Sequence, residues 1–342
     1  MITVPAPTGP RAFVHPALFY RDLAEYLSGV GDFVRGAVAA DEPVLVAVPG
    51  TRLEALRESL GTGGGTGITW TDMTELGRNP GRVLAALQEF ADRHAGRAAR
   101  IVGESIWPGR SPAEVLEATR HEALVNTAFA GRSATVLCPY DVVGLAADVV
   151  SDARRTHPTS IERGQDRPSP AYADASALAA DLDRPLPEPV GPVARLAYSH
   201  GGLAEVRAYA EEWARGTALS PARRGDLIMA ISEAAANSLA HGDGKGALRL
   251  WTVGGPAAED PGDAAGGPAG GAAGCAAGAV AGVVAEIHDG GLLADPLAGR
   301  RRPSLTSADG GRGLWMIHQL CDLVEVRATE SGFTLRLHVA TR

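Results

Sequence analysis

Two kinds of apolar spacing alternate along the first 160 residues. Residues 18–40 keep a helical spacing, and 43–48 form a short continuous apolar run closed by Pro49-Gly50. The alternation continues with predicted helices over 52–60, 81–94 and 111–129 and predicted strands over 68–71, 99–103 and 134–138. Pro80 and Pro112 stand where a first helical turn tolerates a missing N–H, and Ser111 is a natural cap. Helices interleaved with short buried strands predict an α/β layer with a mostly parallel sheet over 11–160.

The pattern changes beyond residue 192. Residues 222–240 predict a long helix with Leu227, Ala230, Ile231, Ala234, Ala235 and Ser238 on one face and Glu233, Asn237 and His241 along its edge. Residues 247–253 and 280–288 read as strands, and Asp289 stands at the carboxyl end of the second. Gly310, Gly311 and Gly313 precede a helical spacing made by Leu314, Ile317, Leu320, Cys321 and Val324. Phe333, Leu335, Leu337 and Val339 then alternate with polar residues, as in a half-buried strand. Between the two regions, prolines punctuate a polar stretch over 161–192, which reads as a linker with a short helix over 173–182. The Gly/Ala-rich stretch 254–282 is of low complexity and is expected to be a disordered insertion between two strands. Such an insertion costs little entropy and leaves the fold intact.

The polar residues of the second region carry the chemistry. A carboxylate and an amide oxygen at Glu233 and Asn237 can hold a hydrated Mg²⁺, which needs few protein ligands. A carboxylate at Asp289 can accept from a base amino group, and Gly291 lets that base approach the backbone. Backbone N–H groups at Gly311 and Gly313 can face phosphates at a helix N-terminus, with Arg312 adding a cation. Each piece alone is common, as a polar helix edge, an Asp-Gly turn or a flexible loop. Their order within about 80 residues is far more specific than any one of them.

Together these pieces resemble the GHKL ATPase fold shared by histidine kinases, gyrase, Hsp90 and anti-sigma-factor serine kinases. The resemblance covers 193–342 and implies an α+β ATP-binding (Bergerat) sandwich. By motif, Glu233 matches the acidic residue of the N box and Asn237 its Mg²⁺ ligand. Asp289 and Gly291 match the adenine box, and Gly311 and Gly313 the phosphate box. The stretch Ser232-Glu233-Ala234-Ala235-Ala236-Asn237-Ser238, followed by His241-Gly242, is similar to the anti-sigma-factor serine kinase branch. The upstream histidines His157 and His200 do not sit in a long helix of the kind that carries a phosphoacceptor: Pro158 follows one and Gly201-Gly202 the other.

The first region resembles the MEDS sensory domain, which is related to RecA-like α/β folds. The residues that carry this are His15-Pro16-Ala17-Leu18-Phe19-Tyr20, Gly77-Arg78-Asn79-Pro80-Gly81-Arg82, the stretch from Gly103 to Arg110, and Cys138-Pro139-Tyr140-Asp141. No G-x-x-x-x-G-K-[ST] is present, so a P-loop nucleotide site is not expected there. The resemblance implies sensing of a small molecule. Glu104, Trp107, Arg110, Tyr140 and Asp141 lie beyond strand ends, where open α/β sheets place ligands, and are the candidate sensory residues; inter-loop packing is the equal alternative. Glu122 and Asn126 repeat the E-x-x-x-N spacing with no glycine loop after them, and read as a helix edge.

Composition narrows the classes. A net charge of −8 with no basic stripe argues against nucleic-acid binding. No apolar run long enough for a membrane span and no signal-peptide pattern is present, and Cys138, Cys275 and Cys321 are far apart. A cytoplasmic protein with reduced thiols is expected, with a homodimer left open. The reading is a sensory domain controlling an ATP- and Mg²⁺-dependent serine/threonine kinase of the anti-sigma type, whose partner is a sigma factor or its antagonist. A non-catalytic ATP-dependent sigma-binding switch and an atypical sensor histidine kinase use the same boxes and are the alternatives.

Overall fold

The computed structural model describes residues 13–61, 67–254, 281–303 and 311–341. Gly310 and residues 255–280 of the insertion lie outside them. The first sheet is built on β1 (Phe13–Val14), β2 (Pro16–Tyr20), β3 (Val44–Val48), β4 (Ile68–Asp72), β5 (Ala99–Gly103), β6 (Ala134–Asp141), β7 (Thr159–Glu162) and β8 (Gln165–Pro168). Their order is β4-β3-β5-β6-β2-β7-β8, with β1 also on β6, and every pairing is parallel except β7–β8. Helices α1 (Leu23–Ala39) and α2 (Gly50–Leu60) cover one face. The other face is covered by α4 (Val83–Arg93) and α5 (Pro112–Ala128), with α3 (Met73–Leu76) and α6 (Ala147–Thr156) beside them. Alternation along β6 sends Leu137 to the α1 side and Val136, Cys138 and Tyr140 to the α5 side.

Residues 18–20, expected in a helix, belong to β2. All five residues of β2 are buried, so the strand shows no polar alternation, and its apolar run merges with that of α1. Asp22 marks the true start, its side chain accepting from Glu25 N. Within 161–192, β7 and β8 form a hairpin whose central residues, Arg163 and Gly164, both have positive φ, as a tight hairpin turn demands. α7 (Ala175–Leu182) then packs Leu178 and Leu182 against Ala123 of α5.

The second sheet contains β9 (Ala194–Ser199), β10 (Lys245–Val253), β11 (Gly282–Asp289), β12 (Leu323–Thr329) and β13 (Gly332–Ala340), all antiparallel in the order β12-β13-β11-β10-β9. Helices α8 (Leu203–Arg215), α9 (Pro221–His241) and α10 (Arg312–Leu320) lie on one face. Their shared core includes Val206, Leu227, Ile231, Leu248, Ile287, Ile317 and Leu337. Val324, expected at the end of α10, lies on β12 instead: Cys321 ends the helix, and both segments feed the same core, which extends the apolar spacing past the turn. The whole is an α/β first layer system, with a mostly parallel sheet, followed by an α+β sandwich.

Candidate functional site

α9 starts at Ser220, whose hydroxyl accepts from Arg223 N, with Pro221 in the first turn. Burying Leu227, Ala230, Ile231, Ala234 and Ala235 turns Glu233 and Asn237 to a half-buried edge. Gly313 of α10 packs onto that pair. A Cβ at Gly313 would stand 2.9 Å from Glu233 Oε2 and 3.3 Å from Asn237 Nδ2. Gly311 is the N-cap of α10 with φ of 79°, a left-handed conformation that favours glycine. The positive end of α10 therefore faces a carboxylate and an amide, and Arg312 is exposed beside it.

Asp289 ends β11 and is buried. Its Oδ2 accepts from the Ser238 hydroxyl at 2.6 Å and its Oδ1 from Gly291 N at 2.7 Å. A carboxylate has about four lone-pair positions, so these bonds fix its plane without exhausting it. Gly242 and Gly291 admit no side chain here, since a Cβ on either would come within 3 Å of Asp289 Oδ1. These residues line a cavity of about 340 Å³, with Ile287, Leu293, Leu314 and Phe333 as apolar walls and Asn237 and Gly311 at its polar end. Its size falls in the range of small-molecule sites, ~300–1,000 Å³. A more open groove of about 890 Å³ lies beside it and shares Asp289, but none of Glu233, Asn237, Gly311 and Gly313 lines it. Of these four, Asn237 and Gly311 line the smaller cavity, which also holds Asp289 and Gly291.

α10 is also held at its other end, by the first domain. Arg82 donates from Nε to His318 O at 2.7 Å and from Nη2 to Gln319 O and Cys321 O, both at 2.8 Å. Asn79 Nδ2 adds bonds to His318 O and Cys321 O. These carbonyls are the orphan acceptors of a helix C-terminus, and a guanidinium there complements the dipole. A second contact is buried: Glu117 of α5, wholly inaccessible, accepts from Arg300 at 2.9 Å, Arg327 at 2.7 Å and Val326 N at 3.3 Å. Between the domains lies a mostly apolar cavity of about 460 Å³, which shares Leu293, Ala298, Leu314, Phe333 and Leu335 with the smaller one. Asn79-Pro80-Gly81-Arg82 is among the stretches that carry the MEDS resemblance, which implies no such docking role for it. A guanidinium and an amide beside a glycine carry no local mark of a helix 240 residues away.

The candidate sensory residues do not all meet in one place: Glu104 and Asp141 share Arg52 as a neighbour, and the others lie apart. Glu104 is enclosed, accepting from Tyr20 at 3.1 Å and Tyr26 at 3.0 Å. Burial pushes its carboxyl up to about 7, with the Tyr26 hydroxyl and Arg52 pulling the other way. Tyr140 is buried on the α5 side. Arg110 stacks on Trp107, 3.9 Å from the ring centre, and donates to Gly77 O. Asp141 accepts from Val143 N and Gly144 N and faces Arg52 at 3.7 Å. Of the two histidines weighed as phosphoacceptors, His157 is fully buried after α6 and His200 is exposed in the turn after β9. Among the described residues no helix is long and apolar enough to cross a membrane.

Two family models match the chain. Residues 14–158 match the MEDS family, described as the methanogen/methylotroph, DcmR sensory domain. Residues 198–339 match the histidine kinase-like ATPase domain. No curated protein matches the chain. The chain is thus a MEDS sensory domain followed by a histidine kinase-like ATPase domain, an arrangement that marks a signalling regulator.

Proposed function

We propose that this protein is a regulator whose second domain binds Mg-ATP and passes the γ-phosphate to a serine or threonine of a partner, a sigma factor or its antagonist. The observation that carries this reading is the seating of Gly313 against Glu233 and Asn237. It brings a helix N-terminus, a carboxylate and an amide to one point beside a base-sized cavity. The residues fit the group. Asp289 would take the adenine amino group, and the amides at Gly311 and Gly313 would take phosphate oxygens. Asn237 would hold Mg²⁺, which keeps most of its waters and needs few protein ligands. Glu233 would orient or deprotonate the acceptor hydroxyl, for which it needs only reach and ionisation. Catalysis of this kind is mostly positioning and charge stabilisation.

The first domain has a direct route to that site through Arg82, Asn79 and Glu117. A small apolar effector would find a seat in the interdomain cavity, walled by Ala123, Leu124, Leu182, Leu314 and Phe333. Titration calorimetry of the full chain with Mg-ATP tests the reading. Asn237→Ala should weaken binding only when Mg²⁺ is present, and Asp289→Asn should weaken it with or without the metal. Unchanged affinity in both variants would remove the site. Glu233→Gln should keep ATP binding and abolish labelling of the partner. ATP-dependent partner binding with no label in the wild type would instead favour the non-catalytic switch.

A further inference from the structure

We propose that His15, Glu122, Cys138 and His157 form a closed tetrahedral site for one divalent transition-metal ion, zinc foremost, inside the sensory domain. The four come from separate segments: the β1–β2 junction, α5, β6 and the residue after α6. All are at most 2 % exposed. Their donor atoms lie within 4.8 Å of one another. Glu122 Oε2 is 3.3 Å from His15 Nε2, 3.5 Å from His157 Nε2 and 3.3 Å from Cys138 Sγ, and His15 Nε2 is 3.3 Å from that sulfur. Ligands bound to zinc at about 2.0–2.3 Å in a tetrahedron stand ~3.3–3.8 Å apart.

The surroundings fix both imidazoles with Nε2 inward. His15 Nδ1 lies 3.1 Å from Asn126 Oδ1, and Asn126 is itself oriented by donating Nδ2 to Thr156 O at 2.8 Å. His157 Nδ1 lies 2.8 Å from Ala153 O. An amide or carbonyl oxygen can only accept, so each Nδ1 carries a proton, and in the neutral ring each Nε2 presents a lone pair to the centre. This is the outer arrangement that metal-bound histidines use.

Without an ion the centre does not balance. Two imidazole lone pairs and a carboxylate converge, and one Cys138 S–H is the sole donor among them. Glu122 Oε1 and His157 Nε2 have no hydrogen-bond partner. A divalent ion completes the centre. It forms four bonds, to two nitrogens, one oxygen and one sulfur. The Cys138 proton leaves to solvent on binding, and the ion's two charges cancel those of the thiolate and carboxylate. One soft and two borderline donors favour zinc over magnesium or calcium. Four protein ligands and no solvent access make the site structural or regulatory, not catalytic.

The consequence reaches the interface. Glu117 and Glu122 lie five residues apart on α5, about 140° around the helix. One face of α5 would hold the ion while another holds Arg300 and Arg327.

The test uses the full chain. After chelation it should take up one equivalent of Zn²⁺ or Co²⁺, and Co²⁺ should show intense tetrahedral bands with a thiolate charge-transfer band. Cys138→Ser should abolish the charge-transfer band, while a Cys275→Ser, Cys321→Ser double variant should keep it. Asn126→Ala, which leaves every ligand in place, should weaken binding by about 10- to 100-fold. Circular dichroism of each variant separates lost binding from lost folding. Octahedral Co²⁺ spectra, sub-stoichiometric uptake, or a charge-transfer band that survives Cys138→Ser would overturn the site.

Discussion

Gly81 offers a direct probe of whether the sensory domain holds the ATPase helix. It lies in a 3-10 turn, Pro80–Arg82, and its φ is not positive, so alanine brings no backbone strain of its own. A Cβ there would overlap Nδ1 and Cε1 of the His318 ring and lie 2.8 Å from its Cγ. Carbon contacts are comfortable at about 3.5–4.0 Å, so ring or helix must give by roughly 1 Å. His318 is buried on α10, and overpacking of this kind costs about 1–3 kcal/mol. His318 Nδ1, the atom a Cβ at Gly81 would meet, has no hydrogen-bond partner, so His318→Ala relieves that contact without breaking a bond there. In that background Gly81→Ala should cost nothing, or gain a few tenths of a kcal/mol from the stiffer unfolded chain.

The double-mutant cycle should therefore give a coupling energy of about 1–3 kcal/mol, read by denaturant unfolding of all four proteins. The same cycle read by ATP affinity asks whether the strain travels along α10 to Gly311 and Gly313. We expect Gly81→Ala to shift ATP affinity and the double variant to restore it. Additive unfolding energies would mean that Gly81 and His318 do not meet in solution, and the interdomain clamp would have to be abandoned.

Glu117→Gln keeps the shape of a buried acceptor but takes the carboxylate from Arg300 and leaves Arg327 only Glu325 at 3.4 Å; breaking buried pairs costs about 3–5 kcal/mol, so the unfolding midpoint should fall and proteolysis of the 291–303 segment should quicken. Glu104 gives a pH signature. Its folded carboxyl titrates near 7 against 4.5 unfolded, so below pH 4.5 both states are protonated and it costs nothing. As pH rises from 4.5 to 7 the unfolded state ionises first, and stability should fall by about 3 kcal/mol in total before levelling. The groups facing it are Tyr20, Tyr26, Arg52 and Asp141, and Glu104→Gln should flatten that slope in denaturation curves taken across the range. A slope that survives the substitution would assign it elsewhere.

The second domain was the more legible half because its chemistry is local. Glu233 and Asn237 share one helix edge, Asp289 and Gly291 one strand end, and Gly311 and Gly313 one helix start, so spacing groups the candidate residues within each element. Ser238 was read as a core position, yet its hydroxyl bonds Asp289. Only the fold brings residues 51 apart together. In the first domain alternation predicts the mostly parallel sheet but not its strand order, and residues 18–20 of β2 read as helix because a strand buried on both faces has no period of two. Glu122 was read as a helix edge for the opposite reason. Its neighbours His121, Ala123, Leu124 and Val125 are all buried, and a carboxylate in so apolar a stretch is the one sequence signal of its true setting. His15, Cys138 and His157 give none, since their spacings match no local ligand motif.

The clamp suggests why the two domains share so many polar contacts. The segment after Asp289 does two things within ten residues. Leu292, Leu293, Ala294, Asp295 and Ala298 line the cavity of about 340 Å³ proposed for the nucleotide, and Arg300 then docks on Glu117. α10, about 13 Å long at 1.5 Å per residue, presents one end to Glu233 and Asn237 and the other to Arg82. A nine-residue helix held at both ends transmits displacement better than it absorbs it. A ligand shifts such a system only by the difference in its affinity for two arrangements, and the effect is reciprocal. Whatever a ligand or ion bound to the sensory domain does to ATP affinity through Arg82 and Glu117, ATP must do in equal measure to the affinity for that ligand or ion.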